Sequence, residues 1–244
     1  MENNISIIIP TLNEEKLLPN LLKQVSDKKL KEQYDIEIIA SDGGSTDNTV
    51  EVAKNFADKI LEHSNGNQQN IAEGRNLGAA EANGEILVFL NGDTRIENTE
   101  LFFRHIMKNF VNSKYLAMTC NVDVFPEESK LIDNIFTSFY NNYFHLLNII
   151  GLGMGRGECH IISKKVFNDF GGYNTDLAAG EDFDLYKRMR KKGKILFDRK
   201  LTVYESPRRY RKYGHFRILF TWLINSISVF FMNKSISKNW EEVR

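Results

Sequence analysis

Polar residues follow directly after the most apolar run in the chain. The run 86–90 ends in Asn91, Gly92 and Asp93, so the carboxylate of Asp93 would stand at the mouth of a sheet. Mg²⁺ and Mn²⁺ are hard cations that bind one or two carboxylates together with phosphate oxygens. A cation held here could bridge two phosphates and offset the charge of a departing diphosphate. Taken alone, the segment is also typical of a polar turn, because Asn-Gly is a common turn dipeptide.

A second pair of carboxylates, Glu181 and Asp182, stands at the start of a predicted helix. Asp182 could act as a general base that takes a proton from an attacking hydroxyl group. Acidic residues in a first turn also stabilise a helix through its dipole. The residues alone leave both interpretations open.

Two further residues have both a functional and a structural interpretation. Asp42 ends a predicted strand and could accept a hydrogen bond from a nucleobase or ribose, but Gly43 and Gly44 equally predict a turn. Arg75 lies on a predicted helix of small residues. Its guanidinium could contact phosphate or base, although such a group is more often solvated or ion-paired.

The elements that would position these side chains alternate between short β-branched runs and helical patterns. In the first half, strands are predicted at 5–9, 36–40, 59–62 and 86–90, with helices around 17–25, 50–56 and 70–82. This order is typical of βαβ units, whose parallel strands are buried on both faces. Ligands of such sheets bind outside the carboxyl ends of the strands. The turns after Ile9, Ala40 and Leu90 should therefore face one crevice.

The second half is less regular, and no linker separates it from the first. Strands are predicted near 115–119, 160–163, 195–197 and 202–204, with helices over 131–150, 164–170, 181–192 and 216–232. The chain is therefore expected to form an α/β domain with a C-terminal helical appendage.

Composition limits the classes of function. The chain has 244 residues, of which 42% are hydrophobic, enough for a sizeable core. Lys and Arg number 32, as do Asp and Glu, so no overall field predicts binding to nucleic acid. Cys120 and Cys159 show neither a metal-site spacing nor a disulfide framework. The apolar run before Pro10 is shorter than the ~7–15 residues of a secretory signal, so a cytoplasmic location is expected.

Five segments in one order make the chain resemble family 2 of the glycosyltransferases. They are SIIIPTLNEE, SDGGSTDNT, GRNLGAAEANGEILVFLNGDT, GECHIISKKVFNDFGGYN and GEDFDL. The resemblance implies the GT-A fold, a Rossmann-like α/β fold with a central, mostly parallel sheet. That domain would span 1–205, with a nucleotide-binding half over 1–95 and an acceptor-binding half over 96–205. Residues 206–244 would add a basic segment and a C-terminal apolar helix.

The resemblance also implies a donor site. The residues that would line the nucleotide pocket are Pro10, Thr11, Asn13 and Glu14. Asp42 would meet the base, and Arg75 would support the base or a phosphate. The donor implied is a nucleoside-diphosphate sugar.

Catalytic roles follow from the same resemblance. Asp182 would be the base, with Glu181 in a supporting role near the acceptor. This assignment implies direct displacement with inversion at the anomeric carbon. Glu158 would lie near the donor sugar or the acceptor, within hydrogen-bonding reach of a sugar hydroxyl.

A divalent metal, Mg²⁺ or Mn²⁺, is implied by the family's Asp-x-Asp pattern, whose first acid approaches the ribose and whose last holds the ion. Asn91 and Asp93 would inherit those places, on either side of Gly92. Asn91 departs from the commoner Asp, yet an amide still hydrogen-bonds a ribose hydroxyl. Many relatives also place a His shortly after the last core strand. This chain reads TVYESPRR there, so Glu205 would serve as an oxygen ligand.

The C-terminal segment predicts contact with a membrane surface. The stretch 216–232 is apolar but shorter than the about 20 residues of a spanning helix, and Arg208, Arg209, Arg211 and Lys212 precede it. We expect its aromatic residues to face lipid and the arginines to face phosphate headgroups. The same apolar composition is equally compatible with a helix that packs on the core or on a second subunit, as in a homodimer.

The leading prediction is a metal-assisted, inverting sugar transferase at the cytoplasmic face of the cell membrane, acting in the synthesis of cell-envelope polysaccharide. Its acceptor would be a glycan or a polyprenyl-linked molecule, admitted past the aromatic segment 131–150. A nucleotidyltransferase would normally have a glycine-rich basic loop after the first strand, which PTLNEE is not. A catalytically silent, nucleotide-binding scaffold is the other alternative, favoured by Asn91.

Overall fold

A computed structural model describes residues 4–63, 69–237 and 243. Its strands are β1 (Ile5–Thr11), β2 (Ile36–Asp42), β3 (Lys59–Glu62), β4 (Ile86–Leu90), β5 (Thr94–Ile96), β6 (Tyr115–Val124), β7 (Cys159–Ser163) and β8 (Lys194–Glu205). They form an eight-stranded sheet in the order β3-β2-β1-β4-β7-β6-β8-β5. Strands β1 to β4 pair in parallel, and β7 pairs antiparallel with both β4 and β6. The predicted mixed α/β fold with a mostly parallel sheet is confirmed.

Helices cover both faces of this sheet. They are α1 (Leu18–Val25), α2 (Lys28–Tyr34), α3 (Thr49–Lys54), α4 (Ile71–Glu81), α5 (Thr99–His105), α6 (Leu131–Ile150), α7 (Lys164–Asp169), α8 (Glu181–Arg190), α9 (Arg208–Tyr213) and α10 (His215–Met232). A π-helical turn, Ile106–Phe110, continues α5.

Successive residues of β1 pack into opposite cores. Ile7 and Ile9 belong to a cluster with Leu21 of α1, whereas Ile8 belongs to a second cluster with Ala72 of α4. A strand buried on both faces needs the continuous apolar run that β1 has. Both faces of the sheet are therefore covered, so a ligand is expected at the carboxyl ends of the parallel strands.

Helix α4 approaches the sheet closely, as its small residues predict. It begins with a capping box in which Asn70 accepts from the Glu73 amide at 2.9 Å and Glu73 accepts from the Asn70 amide at 2.8 Å. A Cβ atom added to Gly78 would lie 2.4 Å from Cγ2 of Ile8. The close approach brings Arg75, on the same helix, to the carboxyl end of β4.

The second half differs from the prediction in its last strand. The two strands predicted at 195–197 and 202–204 are one strand, β8, whose pairing with β6 is irregular between Cys120 and Asn121. The polar residues Arg199 and Lys200 interrupt the apolar pattern at that irregularity, which is why the sequence suggested two strands. The short elements α2, β5, α5 and α9 were not predicted. The division of the domain at residue 95 stays a prediction.

Helix α10 packs on α8 through one face and leaves the other open. Val229 is fully buried in a cluster with Phe183, and the Lys187 ammonium donates to the Val229 carbonyl at 3.1 Å. Phe216 and Phe231 are 75% and 77% exposed. Among the described residues, α10 is the one helix whose length and composition would allow it to cross a membrane. The contact of one face with the core agrees with the alternative of a packed helix, and a membrane contact of the other face stays a prediction.

Candidate active site

Two cavities open side by side at the carboxyl ends of β1 and β4. The first, of about 520 Å³, is lined by polar residues from several elements, among them Asp93. The second, of about 600 Å³, has Asp182 in its wall and is lined mainly by apolar side chains, many of them from α6 and α10. Asn91 and Glu158 line both cavities. A molecule in the first cavity would therefore touch a molecule in the second near these two residues.

Asp182 lies at the start of α8, where the chain turns through Gly180. Gly180 has φ 84°, a left-handed conformation that glycine adopts without strain. The Asp182 carboxylate accepts hydrogen bonds from the Phe183 amide at 2.7 Å and the Gly157 amide at 3.1 Å. Burial raises the pKa of Asp182 to about 7, and the adjacent Glu181 carboxylate contributes to the rise. A carboxyl group with such a pKa can exchange a proton near neutral pH.

Glu181, the residue before Asp182, forms an ion pair with a buried cation. Its carboxylate accepts from Nη1 of Arg75 at 2.8 Å, and the Arg75 side chain is almost fully buried. Nη2 of Arg75 donates to Oδ1 of Asn91 at 3.0 Å and to the Gly157 carbonyl at 2.7 Å. Arg75 thus joins the helix that carries Asp182 to the loop after β4. The predicted contact of Arg75 with base or phosphate stays a prediction.

Asp93 lies in the first cavity beside a residue that the sequence did not assign to it. Arg208 donates to Oδ2 of Asp93 at 3.0 Å and binds both carboxylate oxygens of Glu14, through Nη1 at 2.9 Å and through Nη2. The expectation that Arg208 faces lipid headgroups is therefore wrong. The basic run that precedes an apolar helix suggested a membrane contact, and no local signal shows that its first arginine turns inward.

A second buried arginine, Arg156, also escaped the sequence analysis. It donates to Glu205 at 2.5 Å and lies 3.2 Å from Glu158. Glu205 also accepts from the Tyr210 hydroxyl at 2.8 Å. Burial raises the pKa of Glu205 to about 8, whereas Arg156 lowers the pKa of Glu158 against the effect of burial. Glu158, Glu205 and Tyr210 line the first cavity, and Arg156 lines the second.

The residues that were predicted to bind the nucleotide lie around the turn after β2, and hydrogen bonds within this turn hold them in place. The Asp42 carboxylate accepts from the Ser45 hydroxyl at 2.5 Å and from the amides of Gly44 and Ser45 at 3.0 and 2.8 Å. Asn13, with φ 52°, accepts from the Thr46 amide at 2.8 Å. Both residues thus shape the turn, and a contact between Asp42 and a base stays a prediction.

Several other predicted residues line the first cavity itself. They are Pro10, Thr11, Glu14, Asn91, Gly92, Asp93, Glu158 and Glu205. The structure thus brings the predicted donor-side residues together, with Asn13 and Asp42 just behind them. Arg75, Glu181 and Asp182 line the second cavity with Asn91 and Glu158.

A divalent metal fits beside Asp93 only if a donor supplies phosphate oxygens. Among the described residues, no group of three or more His, Cys, Asp or Glu side chains could hold an ion alone. Glu205 is bonded to Arg156 and Tyr210, and Asn91 to Arg75. One carboxylate together with two phosphate oxygens is nevertheless a usual set for Mg²⁺. The assignment of Asp93 and Glu205 as metal ligands stays a prediction.

Comparison with known proteins gives one family. The profile described as Glycosyl transferase family 2 matches residues 6–171. The 4,4'-diaponeurosporenoate glycosyltransferase of Staphylococcus haemolyticus is 33% identical over 119 residues, which are 47% of this chain and 30% of that protein. The GalNAc(5)-diNAcBac-PP-undecaprenol beta-1,3-glucosyltransferase of Campylobacter jejuni is 34% identical over 96 residues, which are 38% of this chain and 30% of that protein. The chain thus matches about a third of the length of these relatives.

Solved structures share the fold at low sequence identity. A mannosyltransferase from Pyrobaculum calidifontis, in complex with GDP-Man and Mn²⁺, superposes with a TM-score of 0.66 at 18% identity, over 83% of this chain and 56% of that one. Glucosyl-3-phosphoglycerate synthase from Mycobacterium tuberculosis, in complex with Mn²⁺ and UDP, gives a TM-score of 0.62 at 15% identity. The match covers 93% of this chain and 78% of that one. The fold is that of the GT-A glycosyltransferases.

Proposed function

The chain belongs to glycosyl transferase family 2, and on that premise we propose that it moves a sugar from a nucleoside-diphosphate sugar to a lipid-linked acceptor with inversion. The observation that carries the proposal is the meeting of the two cavities at Asn91 and Glu158. A polar cavity suited to a nucleotide adjoins an apolar cavity that contains a buried carboxylate. Donor and acceptor would meet at that boundary.

Asp182 is the general base in this proposal. Its carboxylate would take the proton of the acceptor hydroxyl while that oxygen attacks the anomeric carbon from the side opposite the diphosphate. The Gly157 amide, 3.1 Å from the carboxylate, fixes the orientation of the side chain. Arg75 and Glu181 neutralise each other behind it, so that Asp182 supplies the basic group.

Asp93 and the phosphate oxygens of the donor would hold Mg²⁺ or Mn²⁺, which would supply positive charge to the leaving diphosphate. Support comes from the position of Asp93 in the first cavity. The Mn²⁺ in the two solved complexes above is consistent with this role.

The acceptor is lipid-linked in this proposal because the second cavity is apolar. Phe139 and Tyr143 of α6, and Leu223 and Ile227 of α10, line it. Such a surface binds the hydrocarbon portion of a molecule better than a free sugar chain. The undecaprenol in the name of the Campylobacter jejuni relative is an acceptor of this chemical kind.

The outer faces of α6 and α10 would rest on the cytoplasmic face of the membrane. Both helices expose large apolar residues, including Leu131, Ile149, Phe216 and Phe220. An apolar surface of this extent is uncommon on a soluble monomer and is typical of an interaction site. An acceptor could enter from the bilayer without crossing water.

The experiment that tests this function is a donor screen. The purified chain would be incubated with UDP-, GDP- and dTDP-sugars, Mn²⁺ and vesicles that contain a polyprenyl-diphosphate-linked sugar, whose hydroxyl groups are the possible nucleophiles. Release of nucleoside diphosphate would be measured together with mass-spectrometric detection of glycolipid. We expect at least one donor to give a product whose anomeric configuration is inverted. Nucleotide binding without hydrolysis or transfer from any donor would favour the scaffold alternative.

A further inference from the structure

Arg208 is held in the first cavity by two carboxylates that come from distant parts of the chain. It is the first residue of α9, directly after the end of β8. Its guanidinium binds both oxygens of Glu14 and reaches Oδ2 of Asp93 at 3.0 Å. A planar guanidinium with two fixed partners is restricted in orientation, because each hydrogen bond limits its rotation.

The charges around Arg208 do not cancel, so a bound diphosphate would need every positive charge that this end of the cavity offers. Glu14, Asp93 and Arg208 together carry one net negative charge, and a diphosphate placed beside them would add more. The buried cations nearby are already engaged, Arg75 by Glu181 and Arg156 by Glu205 and Glu158. Arg208 and Arg209 are the cationic residues among those that line the first cavity. Arg208 is the one whose contacts place it beside Asp93.

We propose that Arg208 is a donor-binding residue that contacts the diphosphate and replaces part of the positive charge otherwise supplied by a divalent metal. The inference rests on the proposed function, since it assumes that the first cavity takes a nucleoside diphosphate. Glu14 orients the guanidinium, and Asp93 accepts a hydrogen bond from it until a donor is bound. Arginine suits this role because its fork of donors matches phosphate oxygens.

The position of Asn91 supports the same conclusion. An amide there carries no charge, so the loop after β4 offers the metal one carboxylate, Asp93. That carboxylate already has a cationic partner within hydrogen-bonding distance. The metal and Arg208 would therefore act on the same diphosphate from the same side of the cavity. Removal of either one would weaken nucleotide binding without abolishing it.

The test is nucleotide binding with and without metal. Isothermal titration calorimetry would measure the affinity of the full chain for UDP and for GDP, first in EDTA and then in Mn²⁺. We expect the wild-type chain to bind one of them in EDTA. We expect Arg208→Gln to weaken that binding by about tenfold or more, the loss of one charged hydrogen bond. Mn²⁺ should restore part of the loss, so the variant should depend more strongly on metal.

Two further variants make the result specific. In the Glu14→Gln/Arg208→Gln variant no uncompensated Glu14 charge remains. We expect its binding in EDTA to stay weak, because the contact with phosphate is still missing. Recovery of wild-type affinity would show that Arg208 merely masks Glu14, and would overturn the proposal. Arg95→Gln, which breaks a similar two-bond pair with Glu127 outside both cavities, is the matched control and should bind as the wild type does.

The outcomes separate this inference from the function on which it rests. Arg208→Gln with affinity within twofold of the wild type in EDTA would overturn the role of Arg208 and leave the proposed function standing. A wild-type chain that binds neither nucleotide nor any nucleotide sugar, even in Mn²⁺, would overturn the proposed function itself. Thermal melting of each variant would verify that it is folded.

Discussion

Two neighbouring carboxylates of the site, Glu181 and Asp182, differ in their surroundings and hence in their chemistry. Glu181 is paired with Arg75, whereas the half-buried Asp182 has backbone amides as partners. Burial and the charge of Glu181 raise the pKa of Asp182 to about 7. Glu181 is thereby held in an ion pair, whereas the Asp182 carboxylate can take up a proton.

The raised pKa of Asp182 predicts a pH dependence of transfer. The base must be ionised to accept a proton, so the rate should be low below pH 7 and should rise as the pH passes through about 7. Initial rates at saturating donor between pH 5.5 and 8.5 would test this. A rate that is constant over this range would contradict the role of Asp182.

Replacement of Arg75 should destabilise the fold. Arg75→Gln would leave the buried Glu181 carboxylate without its cation, which typically costs about 3–5 kcal/mol. Unfolding in urea, followed by circular dichroism, would measure the loss. The control is Arg95→Gln, whose exposed ion pair with Glu127 is screened by solvent and should change stability little. Equal stability of both variants would contradict the structural role of Arg75.

The positions of residues at the ends of strands and helices could be predicted from the sequence. The contacts of residues whose partners are far away along the chain could not. Asp93 and Asp182 follow or begin elements with clear patterns, and the joint order of the segments identified them. Arg156 and Arg208 have partners 49 and 194 residues away. Such pairings depend on tertiary packing, which leaves no periodic signal in the chain.

At the scale of elements, the contact between α4 and β1 explains the small residues of α4. Gly78→Ala would gain helix propensity of about 1 kcal/mol. Its Cβ atom would however lie 2.4 Å from Cγ2 of Ile8, and overpacking of a core typically costs about 1–3 kcal/mol. We expect a net loss of stability, measured as the urea midpoint.

A suitable control for that substitution is Gly171→Ala. A Cβ at Gly171 meets nothing within 4 Å, although its φ of 71° adds backbone strain. Gly78→Ala should therefore disturb the packing of Ile8 and the position of Arg75, whereas the control should leave both unchanged. A crystal structure of Gly78→Ala with an unshifted α4 would contradict the close packing.

Most elements could be predicted from periodicity, and the exceptions have physical reasons. Continuous apolar runs marked β1, β2 and β4, because both faces of those strands are buried. Strand β8 was divided because polar residues occupy its irregular middle. The helix α9 was missed because four of its six residues, RRYRKY, are basic, which leaves it without an apolar periodicity.

At the scale of the molecule, the exposed faces of α6 and α10 predict binding to membranes. We expect the wild-type chain to sediment with vesicles of phosphatidylglycerol and phosphatidylcholine. Phe220→Glu/Phe231→Glu should abolish most of this binding, because charged side chains resist burial among lipid tails. Leu77→Glu, at an exposed leucine of α4, is the control and should sediment normally. A wild-type chain that stays in solution as a dimer would assign these faces to a second copy.

At the scale of the whole molecule, a polar cavity adjoins an apolar cavity that is lined by Asp182, the residue that we propose as the base. The isosteric variant Asp182→Asn keeps the shape of the site but cannot take up the proton. We expect its transfer rate to fall by about 10²–10⁴, the usual contribution of a general base, while its affinity for the donor stays within about threefold of the wild type. The decisive measurement is the transfer rate of this variant beside its donor affinity. Transfer at the wild-type rate would contradict the account.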